Sequence, residues 1–250
     1  MGNEQNRGWR VPGDPIWFPE KSRPDPEDES RKMGVGRSVI YEGFSTNFDT
    51  MHEVYLQGAE LEDQFGFPYL EPTTAYPERA IRIQDSARNM KTKGCVVHFY
   101  TDDKKIESVW SDARRFVDNL RCYPAVVMPD LSVTSYQPPA MKVWNRYRNM
   151  VLARYFYDLG VNIIPSLAIL GPEDNDWLMT GMPKGSTLSV STVGRVKNPE
   201  ERRMFLEGLY YCLDKLEPKN LIMYGVVPPE WKAPLPTIYL KAEKEFLDGK

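Results

Sequence analysis

Aspartate 130 follows the apolar run Val126-Val127-Met128-Pro129 directly. A carboxylate set just past a buried strand points into whatever cleft that strand opens on, where it could serve as general base, metal ligand or substrate anchor. The ordinary alternative is an aspartate that caps its own loop. His98 sits inside the run Cys95–Tyr100 (CVVHFY), where a core histidine and a catalytic one share the same sequence signal. A nucleophilic triad would need Ser132, Ser166 or Ser191 beside His98, and no nucleophile-elbow sequence supports one. Ser191-Thr192-Val193-Gly194-Arg195 lies between a strand and a capped helix, and its hydroxyls, glycine and nearby Arg195 and Lys197 suit a phosphate as well as an ordinary turn. Lys184-Gly185-Ser186-Thr187 holds the letters of a phosphate loop in the wrong order and with no strand before it, so it is set aside. Glu173, Asp174 and Asp176 fit no EF-hand spacing and read as a solvated turn, so no metal site is assigned and no cofactor is named. The stretch from Lys142 to Tyr155 interleaves cations with aromatics: Trp144, Tyr147, Val151 and Tyr155 share one helix face and Lys142, Arg146 and Asn149 another. With Arg148, those cations are candidates for contact with a nucleic-acid backbone.

The elements that must position these residues follow from periodicity. Ala80–Ile83, Cys95–Tyr100, Ala125–Met128, Val161–Pro165, Thr187–Ser191 and Leu221–Tyr224 are short β-branched runs that read as strands. Between them the spacing predicts helices over about 104–120, 138–159 and 199–216, the second closed by Gly160 and the third opened by Asn198-Pro199-Glu200-Glu201. Residues 50–65 read as irregular helix, and a last amphipathic helix is expected over about 236–247. Strands buried on both faces and separated by helices imply right-handed βαβ units. The expected fold class is therefore α/β with a mostly parallel sheet, as a complete or partial TIM-like β/α barrel, or alternatively as an open doubly wound sheet. In either form ligands bind beyond the carboxyl ends of the strands. That rule gathers Asp130 as the candidate catalytic residue, with His98, Tyr100, Ser132, Ser166, Ser191, Thr192, Arg195 and Tyr224 as ligand-binding residues.

Composition sets the outer bounds. Apolar residues make up 41% and charged residues 27% of 250, which suits a folded chain rather than a disordered one. A net charge of −3 argues against coating nucleic acid or anionic membrane through bulk charge, so nucleic acid stays a local question. Cys95, Cys122 and Cys212 are widely spaced and odd in number, which fits neither a zinc ribbon nor a disulfide framework. No apolar run approaches the ~18 residues of a membrane span, and the polar N-terminus carries no signal core, so the expectation is a cytoplasmic protein. Residues 1–35 form an arm rich in proline and charge and interrupted by Trp9, Trp17 and Phe18; residues 36–225 form a single domain; residues 226–250 form a proline-rich connector and helix. Aromatics in a polar arm point to docking on the domain or on a partner.

The pieces VVMPDLSV, PAMKVWNRYRN, LGVNIIPSL, GMPKGSTLSVSTVG and NLIMYG, in this order between Val126 and Gly225, resemble domain-of-unknown-function family 4417 of phages, conjugative elements and bacteria. The likeness spans roughly 130 residues starting near Cys95. It implies an α/β fold and a phage or mobile-element setting, hence a host cytoplasm or a virion and phage or element proteins as partners of the arm. It supplies no catalytic assignment. Ala168-Ile169-Leu170 stands where members of the family tend to have Trp-Ser/Gly-Asp, and Asp176-Trp177-Leu178-Met179 replaces an aromatic-rich run, so any catalytic residue in that loop would be missing here.

Overall fold

The computed structural model describes residues 51–89 and 92–242. The N-terminal arm and the end of the chain lie outside them. Among the described residues eight strands follow one another as β1 (Arg79–Arg82), β2 (Cys95–His98), β3 (Ala125–Val127), β4 (Ile163–Ile164), β5 (Ser166–Leu167), β6 (Thr187–Ser191), β7 (Asn220–Tyr224) and β8 (Thr237–Leu240). The helices are α1 (Ile83–Ser86), α2 (Asp103–Ser111), α3 (Val117–Leu120), α4 (Pro139–Asp158), α5 (Pro172–Leu178) and α6 (Pro199–Leu216).

Two four-stranded sheets result, ordered β1-β2-β3-β4 and β5-β6-β7-β8, and every ladder is parallel. The α/β class and the parallel βα units are thus as expected. No ladder joins β8 to β1 among the described residues, so the complete barrel is not formed and the arrangement is open. One residue, Pro165, separates the sheets. It has no N–H to give to a ladder, and its carbonyl accepts from Ser189 N at 2.9 Å.

Strand order that follows chain order, with right-handed crossovers, sends the connecting helices to one side. Side chains then sort by parity. Cys95, Val97, Val126, Met128, Leu188, Val190, Leu221 and Met223 join the large core that includes the helices. Val96, Tyr100, Ala125, Val127, Ile164, Ile222, Tyr224 and Leu240 form a second core on the other face. That second core takes residues from both sheets, so the sheets curl toward each other.

Helix ends explain the spacing. Asn198 accepts from Glu200 N at 2.8 Å, satisfying a free amide at the start of α6. Gly160, at φ 83°, closes α4: its N–H reaches Tyr157 O and Val161 N–H reaches Phe156 O, the paired bonds of a Schellman cap.

Three expectations fail. The helix over 104–120 breaks at Asp112 into α2, a 3-10 turn (Ala113–Phe116) and α3. The Ala113 amide freed there donates to the Tyr55 hydroxyl at 3.2 Å, so a tertiary bond replaces a helical one. Where a helix over 50–65 is expected, the described residues from 51 to 65 hold a single 3-10 turn, Glu53–Leu56. The C-terminal helix is replaced by β8 as far as Leu240, because Thr237-Ile238-Tyr239-Leu240 pairs with Leu221 to Tyr224 of β7; residues beyond 242 lie outside the described part.

Candidate functional site

Asp130 is half-buried immediately beyond β3 and Pro129. Removal from water pushes its carboxyl up to about 6, against the lowering pull of Arg195 and Arg146; Asp103 adds a smaller upward push. Arg146, from the middle of α4, is 1% exposed and is among the largest fully buried side chains of the domain. Its Nη1 donates to Ser166 O at 3.3 Å, while Nε and Nη2 find no partner among the described residues. A buried guanidinium with two unpaired nitrogens is costly and has to be explained.

Beneath lies a floor of aromatic rings and hydroxyls. The Tyr100 hydroxyl shares hydrogen bonds with Ser189 Oγ at 2.7 Å and Ser166 Oγ at 3.0 Å. The Tyr100 ring stacks on Tyr224 at 5.0 Å, and His98 lies 4.4 Å from Tyr224. His98 Nδ1 accepts from Tyr100 N at 3.2 Å, so its ring is held as a neutral acceptor. Burial, aided by Arg82, lowers its pKa to about 3. Burial likewise raises the Tyr100 phenol, which therefore serves as a hydrogen-bonding group and not as a base.

The rim is cross-braced. Arg195 donates through Nη1 to Ile169 O and through Nη2 to Val133 O at 3.1 Å, tying three strand-end loops together. Asn149 holds both backbone groups of Leu131, accepting its N–H at 2.8 Å and donating to its carbonyl at 3.0 Å; Asn145 Nδ2 holds Ser132 O. Ser132 itself is exposed and bound to Asp103 Oδ1 through N and Oγ. Thr192 is fully buried, with its amide and hydroxyl both on Tyr224 O, and Ser191 Oγ accepts from Val193 N.

Gly225 follows Tyr224 at φ 118°, and a Cβ there would collide with Thr192 Oγ1 and press on Val193. Gly225→Ala is expected to cost about 2–4 kcal/mol, adding a forced left-handed residue to overpacking. Urea denaturation checks this; a loss below ~1 kcal/mol would show that the turn gives way easily.

Asp130, His98, Tyr100, Thr192, Arg195 and Tyr224 thus lie at or just beyond strand ends, and Ser191 is the last residue of β6; Ser166 instead opens β5, level with Ser189 in the middle of β6, where the Tyr100 hydroxyl reaches both, and Ser132 is exposed beyond β3. The cationic face expected on α4 is not a surface. Arg148 is 8% exposed, held by Glu107 at 2.6 Å and Asn145 at 2.7 Å and set against Trp144, while Lys142 pairs with Asp174 at 2.7 Å. The loops after β3 and β5 close over this face, which the helix sequence alone does not disclose. The acidic stretch read as a solvated turn is α5 instead, with Asp174 also accepting from Trp177 Nε1. Among the described residues no three His, Cys, Asp or Glu side chains come together to hold a metal ion. Sequence reasoning missed Ser189, the inward neighbour of two outward residues on β6, and it misjudged Arg146, whose burial depends on loops far from it in sequence.

Fold and site together define an open, parallel α/β domain with a charged and hydroxyl-rich cluster at its strand ends. The chain belongs to the family Domain of unknown function (DUF4417), whose model matches residues 59–241. It is 29% identical over 163 residues to the Gene 1 protein of Mycobacterium phage D29, a match covering 64% of this chain and 60% of that protein. It is 30% identical over 168 residues to the Gene 1 protein of Mycobacterium phage L5, covering 66% of this chain and 73% of the relative. No solved structure is a significant match. No described helix is long and apolar enough to cross a membrane.

Proposed function

We propose that this domain binds and acts on a phosphorylated or nucleotide-like ligand at the carboxyl ends of its strands, with Asp130 transferring the proton. The observation that carries the reading is the placement of Asp130 just beyond β3, within electrostatic reach of Arg146, Arg195 and Tyr100, whose hydroxyl lies on Ser166 and Ser189; burial lifts the carboxyl to about 6. A carboxyl in that range exchanges protons near neutral pH, as a general acid or base must. Arginines suit the phosphate, and aromatic faces suit a base or sugar. Phage relatives support a phage role; a mobile-element setting, a host cytoplasm and docking of element proteins by the N-terminal arm are parts of the same proposal. The non-enzymatic alternative, nucleic-acid contact through Lys142, Arg146 and Arg148, has less support because the two arginines are buried and Lys142 is ion-paired.

Thermal shift of the full chain against nucleoside mono-, di- and triphosphates and sugar phosphates tests the reading, with turnover followed by phosphorus NMR. At least one compound is expected to stabilise both the wild type and Asp130→Asn, and only the wild type is expected to convert it. If no phosphorylated compound stabilises the protein at millimolar concentration, the reading falls.

A further inference from the structure

We infer that Arg146 grips the anionic group of the ligand, presenting the Nε–Nη2 edge of its guanidinium to two oxygens of a tetrahedral oxyanion of the phosphate class. This deepens the reading above and rests on it for the location of the site.

The edge matters. In a guanidinium, the N–H bonds of Nε and Nη2 lie side by side and point the same way, forming the fork that matches two oxygens of one phosphate. These are the two nitrogens of Arg146 that find no partner among the described residues, whereas Nη1 is used on Ser166 O. A structural arginine at 1% exposure would be expected to spend its donors on carbonyls or a carboxylate, as Arg195 does through both Nη groups and as Arg148 does with all but its Nε. Arg146 does not, although Asp130 lies close enough to act on it through space. Burial also multiplies the worth of a charge-assisted bond, because little water competes for the donors.

An oxyanion on this fork meets the Asp130 carboxyl, and two negative charges repel. Burial already favours the protonated acid, and the charged groups that face it are Arg146, Arg195 and Asp103. The bound anion adds to the side of Asp103, so binding takes up a proton and the acid becomes a hydrogen-bond donor to the anion. Affinity therefore rises as pH falls.

Isothermal titration of the full chain with sulfate, which does not titrate between pH 5.5 and 8, and with inorganic phosphate tests the inference. The wild type is expected to bind sulfate more tightly at pH 5.5 than at pH 8. Arg146→Gln should bind at least tenfold more weakly, and Arg146→Lys should also lose affinity, since an ammonium keeps the charge without the fork. Lys184→Gln, which removes an exposed lysine at the other end of β6, should bind like the wild type. Should Arg146→Gln fail to fold, Arg146→Lys carries the comparison. Wild-type affinity in a folded Arg146 variant, equal affinity at the two pH values, or no anion binding by the wild type would each overturn the inference. Nucleotide binding that ignores Arg146 would overturn it while leaving the proposed function standing. Arg146-dependent anion binding with no response to any organic phosphate would do the reverse.

Discussion

His98→Asn is expected to gain stability relative to the wild type as pH falls from 6.5 to 4.5, by about 2–3 kcal/mol across that window. His98 is neutral in the folded protein, with its pKa lowered from 6.5 to about 3, first by burial and then by Arg82, against a small opposing effect of Asp85. The unfolded chain takes up a proton below pH 6.5 and the folded chain does not, so acid favours unfolding until the pH nears 3. Asparagine can still accept from the Tyr100 amide and does not titrate, so this slope should disappear. It also surrenders the ring contact with Tyr224, so the variant starts from lower stability at pH 8. The pH slope, measured by urea unfolding at several pH values, is the readout. Parallel curves for the two proteins would show that His98 is protonated in the folded state.

Asp130→Asn should behave in the opposite sense. The Asp130 carboxyl is raised from 3.8 to about 6, so the folded state holds its proton more tightly than the unfolded chain. Stability is then fully present below pH 4 and is lost as pH rises through about 6. At pH 8 the amide should be more stable than the wild type by about 1–2 kcal/mol, less than the full shift would give because the carboxylate keeps some solvent contact. That is a few degrees in Tm for a domain of this size, and the difference should vanish near pH 4. A carboxylate kept at a cost to folding is what a functional group looks like. If the amide is instead less stable at pH 8, Asp130 is the structural counterion of Arg146 and Arg195 and its proposed proton-transfer role weakens. In the wild type the two residues tilt stability in opposite directions over nearly the same range, so each substitution uncovers the other.

Much of this architecture was legible from one sequence. Thr187–Ser191 matches β6 residue for residue, and Gly160 and Asn198 mark helix ends through backbone chemistry that any context preserves. The position of Asp130 just beyond β3 was legible because the strand-end rule needs only local information. Two things were not. The segment 237–240 has apolar residues that suit a helix as well as a strand, and only the free edge of β7 decides between them. The cationic face of α4 reads as solvent-facing because helices usually have one polar side. Here Asn145 and Asn149 hold the loop over it and Arg146 reaches toward Ser166, so polarity marks contact with folded backbone instead of water.

Pro165 interrupts the hydrogen-bonded ladder between the halves, so their mechanical continuity runs through the interior, where the Tyr100 hydroxyl acts as a rivet from β2 to Ser166 and Ser189 across the gap. Both apolar cores also run through the two halves, so this hydroxyl bridge is one tie among several, and it is the one made by the proposed ligand-binding residues. A ligand seated at the proposed site would therefore be expected to tighten the hold of one half on the other.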